Sequence, residues 1–138
     1  MNENEILIYI NKLPEELINT IKEYIPQKTL IFLDKTHYIL YHSLIKTYIQ
    51  NFDNYIRDVI RRDNEFVFER IVNENYSKWV LIKNYRYKNM TFKNYLFFVA
   101  NFCFENDSSN CIKLINDFIK KLGLCKNLHK KNIIKYIR

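Results

Sequence analysis

Apolar side chains recur with the period of an α-helix along most of this 138-residue chain. The first clear case runs from Leu17 through Ile21 and Tyr24 to Ile25, at spacings of four, three and one residues. Such spacings place side chains on one face of a helix, because an α-helix completes a turn in about 3.6 residues. The pattern therefore predicts a short amphipathic helix early in the chain.

Prolines bound this helix on both sides. Pro14 suits the first turn, because the N–H that proline lacks would have no intrahelical partner there. Glu15 and Glu16 follow, and negative charge is favourable near the N-terminus of a helix. Pro26 ends the helix, because the residue before a proline is disfavoured in the helical backbone region.

A further helix is predicted in the same region. Leu30–Leu33 forms a compact apolar turn or short helix, and Asp34 belongs to the residue types that cap helix N-termini. From Lys35 the apolar side chains keep helical spacing for about four turns, to Ile49. The N-terminal arm, residues 1–12, is predicted to be a short helix or an extended segment laid against the core.

From Asn51 onward the pattern predicts a series of helices of roughly 10–14 residues joined by short polar connections. Tyr85–Thr91 is predicted to be a polar turn, and Thr91 to cap the most apolar helix. Gly123 suits the C-terminal end of a helix. The predicted helices are Asn54–Arg62, Glu65–Asn75, a short one from Ser77 to Ile82, Phe92–Cys103, one that opens at Ser109 or Asn110, and the basic helix Leu128–Ile137.

These elements predict an all-α fold, in which a three-helix segment is followed by stacked helical hairpins in one compact domain. The division falls at residue 50: residues 1–50 hold the three-helix segment and its arm, and residues 51–138 hold the hairpins and a basic C-terminal helix. We expect the two regions to be continuous with each other. The run Ile6–Ile10 favours a β-strand, but no second convincing strand follows to pair with it.

The proline-bounded helix also carries the residues of a known family. The chain has Leu13-Pro14-Glu15-Glu16-Leu17, then Ile21, Tyr24-Ile25-Pro26, Leu30 and Leu33. From Leu13 to about Leu44 it thereby resembles an F-box, the small three-helix adaptor domain that docks on the Skp subunit of cullin-type ubiquitin ligases. The family usually continues with a Val-Cys-Arg-x-Trp-like stretch, where this chain has Lys35–Leu40. The abundance of Ile, Asn, Lys, Tyr and Phe is similar to that of F-box-like proteins of large nucleocytoplasmic DNA viruses.

The resemblance implies a viral adaptor that redirects host ubiquitination from the host cytoplasm or the viral factory. Recognition would take place by a helix in a groove of a Skp-like partner. A second hypothesis is a structural or assembly protein of the virion, whose F-box-like segment makes another contact. In the adaptor, the apolar anchors would be Leu13, Pro14, Leu17, Ile21, Ile25 and Leu30.

Composition argues against catalysis. One glycine and two prolines are too few for a β fold built on tight turns or for a glycine-rich phosphate loop. The serines lack a glycine elbow, and the three histidines lack an acidic partner at a diagnostic spacing. We therefore expect no catalytic residue, no cofactor and no small-molecule substrate.

The three cysteines do not indicate a disulfide framework or a metal site. Cys103, Cys111 and Cys125 are odd in number and lack Cys-x-x-Cys spacing. They are typical of small buried side chains in a reducing compartment. Adding His129 gives four potential zinc ligands, but in no recognised pattern, so no metal site is predicted.

Positive charge is concentrated at the end of the sequence. Of 22 basic residues, seven follow residue 119, and the remaining fifteen balance the fifteen acidic ones. The hypothesis that follows is binding of nucleic acid or the ribosome, to which Arg86 and Lys88 could add. The simpler interpretation is a basic terminal helix favoured by its own dipole. The seven residues are Lys120, Lys121, Lys126, Lys130, Lys131, Lys135 and Arg138.

Nothing in the sequence predicts a membrane protein. No charged and then apolar leader opens it, and no apolar run reaches the ~18 residues that a spanning helix needs. We expect a soluble intracellular protein without membrane insertion.

Overall fold

The computed structural model describes residues 8–10, 12–123 and 133–135. The chain divides into two compact units, Met1–Gln50 and Asn51–Arg138. The predicted helical character is confirmed, since helices hold most of the described residues. The prediction of a strictly all-α fold is wrong, because the second unit contains a small β-sheet.

The first unit is built from short helices. Residues 8–10 are helical, and α1 spans Glu15–Glu23, α2 Gln27–Ile31 and α3 Lys35–Tyr41. A 3₁₀ turn at His42–Leu44 then leads into α4, Ile45–Tyr48. The predicted continuous helix from Lys35 to Ile49 is therefore interrupted.

The predicted starts of two helices in this unit, at Pro14 and Asp34, are confirmed. Pro14 is the N-cap of α1, with Glu15 and Glu16 in its first turn, and Pro26 is the N-cap of α2. Asp34 caps α3 by accepting a hydrogen bond from the backbone N–H of His37 at 2.8 Å. Among the described residues of the unit, the buried side chains are Ile31, Tyr38 and Ile45.

The second unit contains longer helices and the sheet. The bounds are Phe52–Arg61 for α5, Glu65–Leu81 for α6, Lys83–Tyr87 for β1, Met90–Asn94 for β2, Tyr95–Glu105 for α7, Ser109–Lys121 for α8 and Ile133–Lys135 for β3.

Helix α6 is continuous where the sequence predicted two helices separated near Asn75. The Asn75 side chain is buried, and its Nδ2 donates to the carbonyl of Ile71 at 2.8 Å. The buried amide is thus satisfied by a carbonyl of the helix itself, and the helix continues to Leu81. The polar residues at this point therefore do not end the helix.

The sheet corrects three predictions. Tyr85–Thr91 is part of an antiparallel hairpin, in which Tyr85 pairs with Phe92 and Tyr87 with Met90. Thr91 lies in β2, and the cap of α7 is Asn94, whose Oδ1 accepts from the N–H of Phe97 at 3.0 Å. The predicted helix Leu128–Ile137 is replaced at Ile133–Lys135 by β3, which pairs with β2. β-branched isoleucines favour this strand over a helix.

Helix α7 forms the centre of the second unit. All residues from Tyr95 to Cys103 are buried, as expected for a helix that is apolar on nearly every side. Aromatic rings of the hairpin pack on it, with the Phe98 centroid 4.7 Å from that of Tyr85 and 5.5 Å from that of Phe92. The hairpin is thus fixed to α7 by ring contacts.

Helices α5, α7 and α8 end in a left-handed residue. Asp63, Asp107 and Gly123 have φ values of 50°, 51° and 71°. After α7, the N–H of Asp107 donates to the carbonyl of Phe104 and that of Ser108 to Cys103, which is the Schellman arrangement. Glycine is the usual residue there, and aspartate replaces it at two of these three ends.

We expect Asp107→Gly to raise the free energy of unfolding of the second unit by about 1 kcal/mol. Glycine adopts a positive φ without steric cost, and the change removes a negative charge from the negative end of the α7 dipole. Urea unfolding followed by fluorescence of Trp79, the only tryptophan in the sequence, measures the effect. A lower unfolding midpoint would show that the Asp107 carboxylate stabilises the fold.

Candidate functional site

Helix α1 leaves its apolar stripe largely uncovered. None of its nine residues, all of which the structure describes, is buried. Leu17 is 51% exposed and Tyr24, at the end of the helix, is 84% exposed. Folded proteins normally cover amphipathic helices of this kind, so the uncovered stripe is a candidate contact surface.

The predicted anchors differ in exposure. Leu13, Pro14 and Leu17 are exposed. Ile21, Ile25 and Leu30 are half-buried. The stripe therefore has an outer edge, formed by the exposed residues, and an inner edge that is partly covered by the unit itself.

Sequence reasoning missed three exposed apolar residues of the same unit. Phe32 follows α2, and Ile39 and Leu40 lie on α3; their exposed fractions are 47%, 49% and 66%. Phe32 also contacts the buried Tyr38, with ring centroids 6.3 Å apart. The signal was present in the sequence, because Tyr38-Ile39-Leu40-Tyr41 is too continuously apolar for one helix face to bury.

An acidic group lies at the start of α3. Asp34 Oδ2 lies 2.8 Å from Nδ1 of His37, and Oδ1 accepts from the His37 backbone. Partial burial raises the pKa of Asp34, but these bonds outweigh it and hold the pKa below its ordinary value. The carboxylate therefore stays ionised while it caps the helix.

The basic C-terminal residues are described only in part. Lys120 and Lys121 are exposed in the last turn of α8. Lys135 is in β3, so the prediction that it belongs to a basic helix is wrong. The other four, Lys126, Lys130, Lys131 and Arg138, lie outside the described residues, as do Cys125, His129 and the predicted arm up to residue 7.

The two cysteines that the structure describes are buried and poorly reactive. Cys103 and Cys111 are free thiols and fully buried. Burial raises the pKa of Cys111 to about 12 and that of Cys103 above its ordinary range as well. Both are protonated at neutral pH, which makes them poor nucleophiles and poor metal ligands. Within residues 12–123, no group of three His, Cys, Asp or Glu side chains could hold a metal ion.

A surface groove lies between α6 and α8. Its volume is about 280 Å³, and both acidic and basic side chains line it, among them Glu69, Lys113 and Asp117. Opposite charges neutralise each other at close range, so the groove offers no single charge for a ligand.

In the part of the chain that the structure describes, no helix has the length and apolarity to cross a bilayer. No protein-family model, curated protein or solved structure matches this chain.

Proposed function

We propose that the first unit is a non-enzymatic docking module, an F-box-like adaptor that binds a Skp-like partner protein. The observation that carries this proposal is the uncovered apolar stripe of α1, from Leu13 through Leu17 to Tyr24. The resemblance of Leu13–Leu17 to the opening of an F-box supports the choice of partner. An adaptor of this kind would act in the host cytoplasm or the viral factory.

Binding would follow the helix-in-groove mode. The exposed residues Leu13 and Leu17 would enter the partner, and the half-buried Ile21 and Ile25 would cover the edge of the contact and keep water out. Leu17 is already held in a helix and Leu13 precedes the N-cap of that helix, so little conformational entropy is lost on binding. Exposed apolar side chains of α3, Ile39 and Leu40, give a second area that the same partner could cover.

Replacing Leu17 by alanine is expected to weaken binding to the Skp subunit about tenfold or more, a loss of ~1.4 kcal/mol. The side chain is half exposed, and alanine is the best helix former, so α1 stays folded. Isothermal titration calorimetry of the full chain against the purified Skp subunit measures the change.

The matched control is Asn19→Ala, since Asn19 is an exposed polar residue of the same helix. It should leave the affinity within about twofold. Absence of heat with the unsubstituted chain would eliminate the adaptor proposal. Self-association that Leu17→Ala abolishes, together with no Skp binding, would instead indicate an assembly role for the same surface.

A further inference from the structure

Three basic side chains gather over two adjoining aromatic rings of the second unit. The guanidinium carbon of Arg57 lies 5.3 Å from the Tyr87 ring centroid, and that of Arg61 lies 5.3 Å from the Phe102 centroid. The Nζ atom of Lys88 lies 5.6 Å from the same Tyr87 centroid. Because the two ring centroids are 5.8 Å apart, Arg57, Arg61 and Lys88 form one cation cluster.

Two carboxylates on α5, those of Asp53 and Asp58, interact with side chains outside the cation cluster. Asp58 Oδ2 lies 3.1 Å from Nε of Arg62, in an ion pair. Asp53 Oδ1 accepts a hydrogen bond from the Tyr95 hydroxyl at 2.9 Å. Among the described residues, no ion pair joins a member of the cation cluster to a carboxylate. Asp53 keeps its negative charge near Arg57, since both groups act on Tyr85 and Tyr95. The three cations of the cluster still outnumber this one carboxylate, and the net positive charge favours an anion.

The rings hold the cluster in place. Tyr87 packs against the buried Phe98, with centroids 4.9 Å apart, and Arg57 is also held by a hydrogen bond to Asn54. A guanidinium over a ring uses its face for that contact, so its in-plane N–H groups remain able to bind oxygen. Lys88 has a φ of 51°, which lysine rarely adopts, and such strain concentrates at functional sites.

We propose that the cation cluster binds the phosphodiester backbone of a nucleic acid. Arg57 and Arg61 are one helical turn apart, ~5–6 Å between Cβ atoms, so their guanidiniums can contact successive phosphates. Arg61 can donate two parallel N–H bonds to a phosphate, Arg57 contributes the N–H groups that its bond to Asn54 leaves, and Lys88 adds a point charge beside them. The cluster belongs to the second unit, so its role is independent of the adaptor proposal.

The surroundings favour a nucleic acid over a protein or a membrane. Protein partners and bilayers derive most of their affinity from apolar contacts, whereas binding to a nucleic-acid backbone is mainly electrostatic. Phe102 is buried, and Arg57 and Lys88 lie against the Tyr87 ring. The exposed apolar residues Leu81 and Ile82 precede β1, and about 20 Å of extended chain separates Ile82 from Lys88.

The test compares the full chain with the double variant Arg61→Gln/Lys88→Gly. Fluorescence anisotropy is measured with a labelled RNA of about 20 nucleotides and with the DNA of the same sequence, at several salt concentrations. We expect affinity to fall about tenfold or more, and the slope of log K against log salt to fall by about 1.4, roughly 0.7 for each lost phosphate contact. Arg61 is exposed and glycine relieves the φ of Lys88, so the urea midpoint should not fall.

Two charge-matched variants serve as controls. Lys78→Gln/Lys113→Gln removes two exposed lysines of α6 and α8, and Lys130→Gln/Lys131→Gln removes two charges of the C-terminal region; both should retain most of the affinity. Equal losses in all three variants, or a loss confined to the C-terminal variant, would overturn the proposal. So would binding to vesicles of anionic phospholipid without binding to either oligonucleotide.

Discussion

Replacing Phe98 by alanine is expected to lower the free energy of unfolding of the second unit by about 3–5 kcal/mol. The ring is almost completely buried, and the lost volume cannot be refilled because interiors are packed as densely as crystals. Paired aromatic contacts add to the loss. The rings within 6 Å of the Phe98 centroid belong to Tyr85, Tyr87, Phe92, Tyr95 and Phe102.

Trp79 provides the measurement, because it is buried in the same unit and its ring lies 5.4 Å from that of Tyr95. Urea unfolding is followed by its fluorescence. Phe118→Ala is the control, since Phe118 is only half-buried and its ring contact is with Tyr76. We expect a cost of roughly 1–2 kcal/mol for the control. Equal costs for the two substitutions would show that the rings around Phe98 do not act as the core of the unit.

The helices were predictable because their signals are local. The i, i+3 and i+4 spacing of apolar residues and the capping side chains of Asp34, Asn51 and Asn64 depend only on neighbours in the sequence. The end of α8 at Gly123 was predictable for the same reason. Local signals do not show which of two possible capping residues is used. Asn94 rather than Thr91 caps α7, because Thr91 pairs within the sheet.

The hairpin was missed because its turn lacks the usual residues. Hairpin turns favour asparagine–glycine pairs, whereas here the turn follows Tyr87 with Lys88 in the left-handed region. Tyr85 and Tyr87 have the two-residue spacing of a strand, but two positions are too few to predict one, and the segment was predicted to be a polar turn. The strand becomes stable only through contacts of Tyr85 and Tyr87 with α7, which no local pattern contains.

The candidate surface was predictable as a stripe but not as an exposed stripe. The spacing of Leu17, Ile21 and Ile25 is the same whether the protein's own core or a partner covers it. Only packing within the unit separates the exposed Leu17 from the half-buried isoleucines. Lys88 was part of the nucleic-acid hypothesis, but the cation cluster as a whole could not be predicted, because Arg57 and Tyr87 are thirty residues apart and meet only in the fold.

The junction between α5 and α8 depends on an exchange of caps between two loops. Asp63, in the left-handed position after α5, accepts hydrogen bonds from the backbone N–H groups of Asn110 at 3.1 Å and Cys111 at 2.9 Å. These are orphan donors in the first turn of α8. The hydroxyl of Ser108, the N-cap residue of α8, donates to the carbonyl of Ile60 in the last turn of α5. Each loop therefore satisfies the end of the other helix.

Asp63→Gly is expected to destabilise the second unit by about 1–2 kcal/mol, because glycine keeps the backbone conformation but loses the cap. Asp63→Ala should cost ~1 kcal/mol more, since alanine also strains a φ of 50°. Asp107→Gly, the same change at the matching position of α7, should stabilise instead. Urea unfolding of the three variants, followed by Trp79 fluorescence, separates the contribution of the cap from the cost of the backbone strain. Destabilisation by both glycine substitutions would contradict the assignment of the cap to Asp63.

The contribution of Asp63 should also depend on pH. Partial burial raises the pKa of its carboxyl, but the hydrogen bonds from Cys111 and Asn110 outweigh this and hold the pKa below its ordinary value. A group whose pKa is lower in the folded state stabilises the fold at pH values above its unfolded pKa, which is ~3.9 for aspartate. This contribution is lost as the pH falls through the folded pKa. The difference in unfolding free energy between the natural chain and Asp63→Gly should thus be constant from neutral pH to about pH 5 and shrink below pH 4. A difference that persists unchanged into strong acid would show that ionisation of Asp63 does not contribute to the junction.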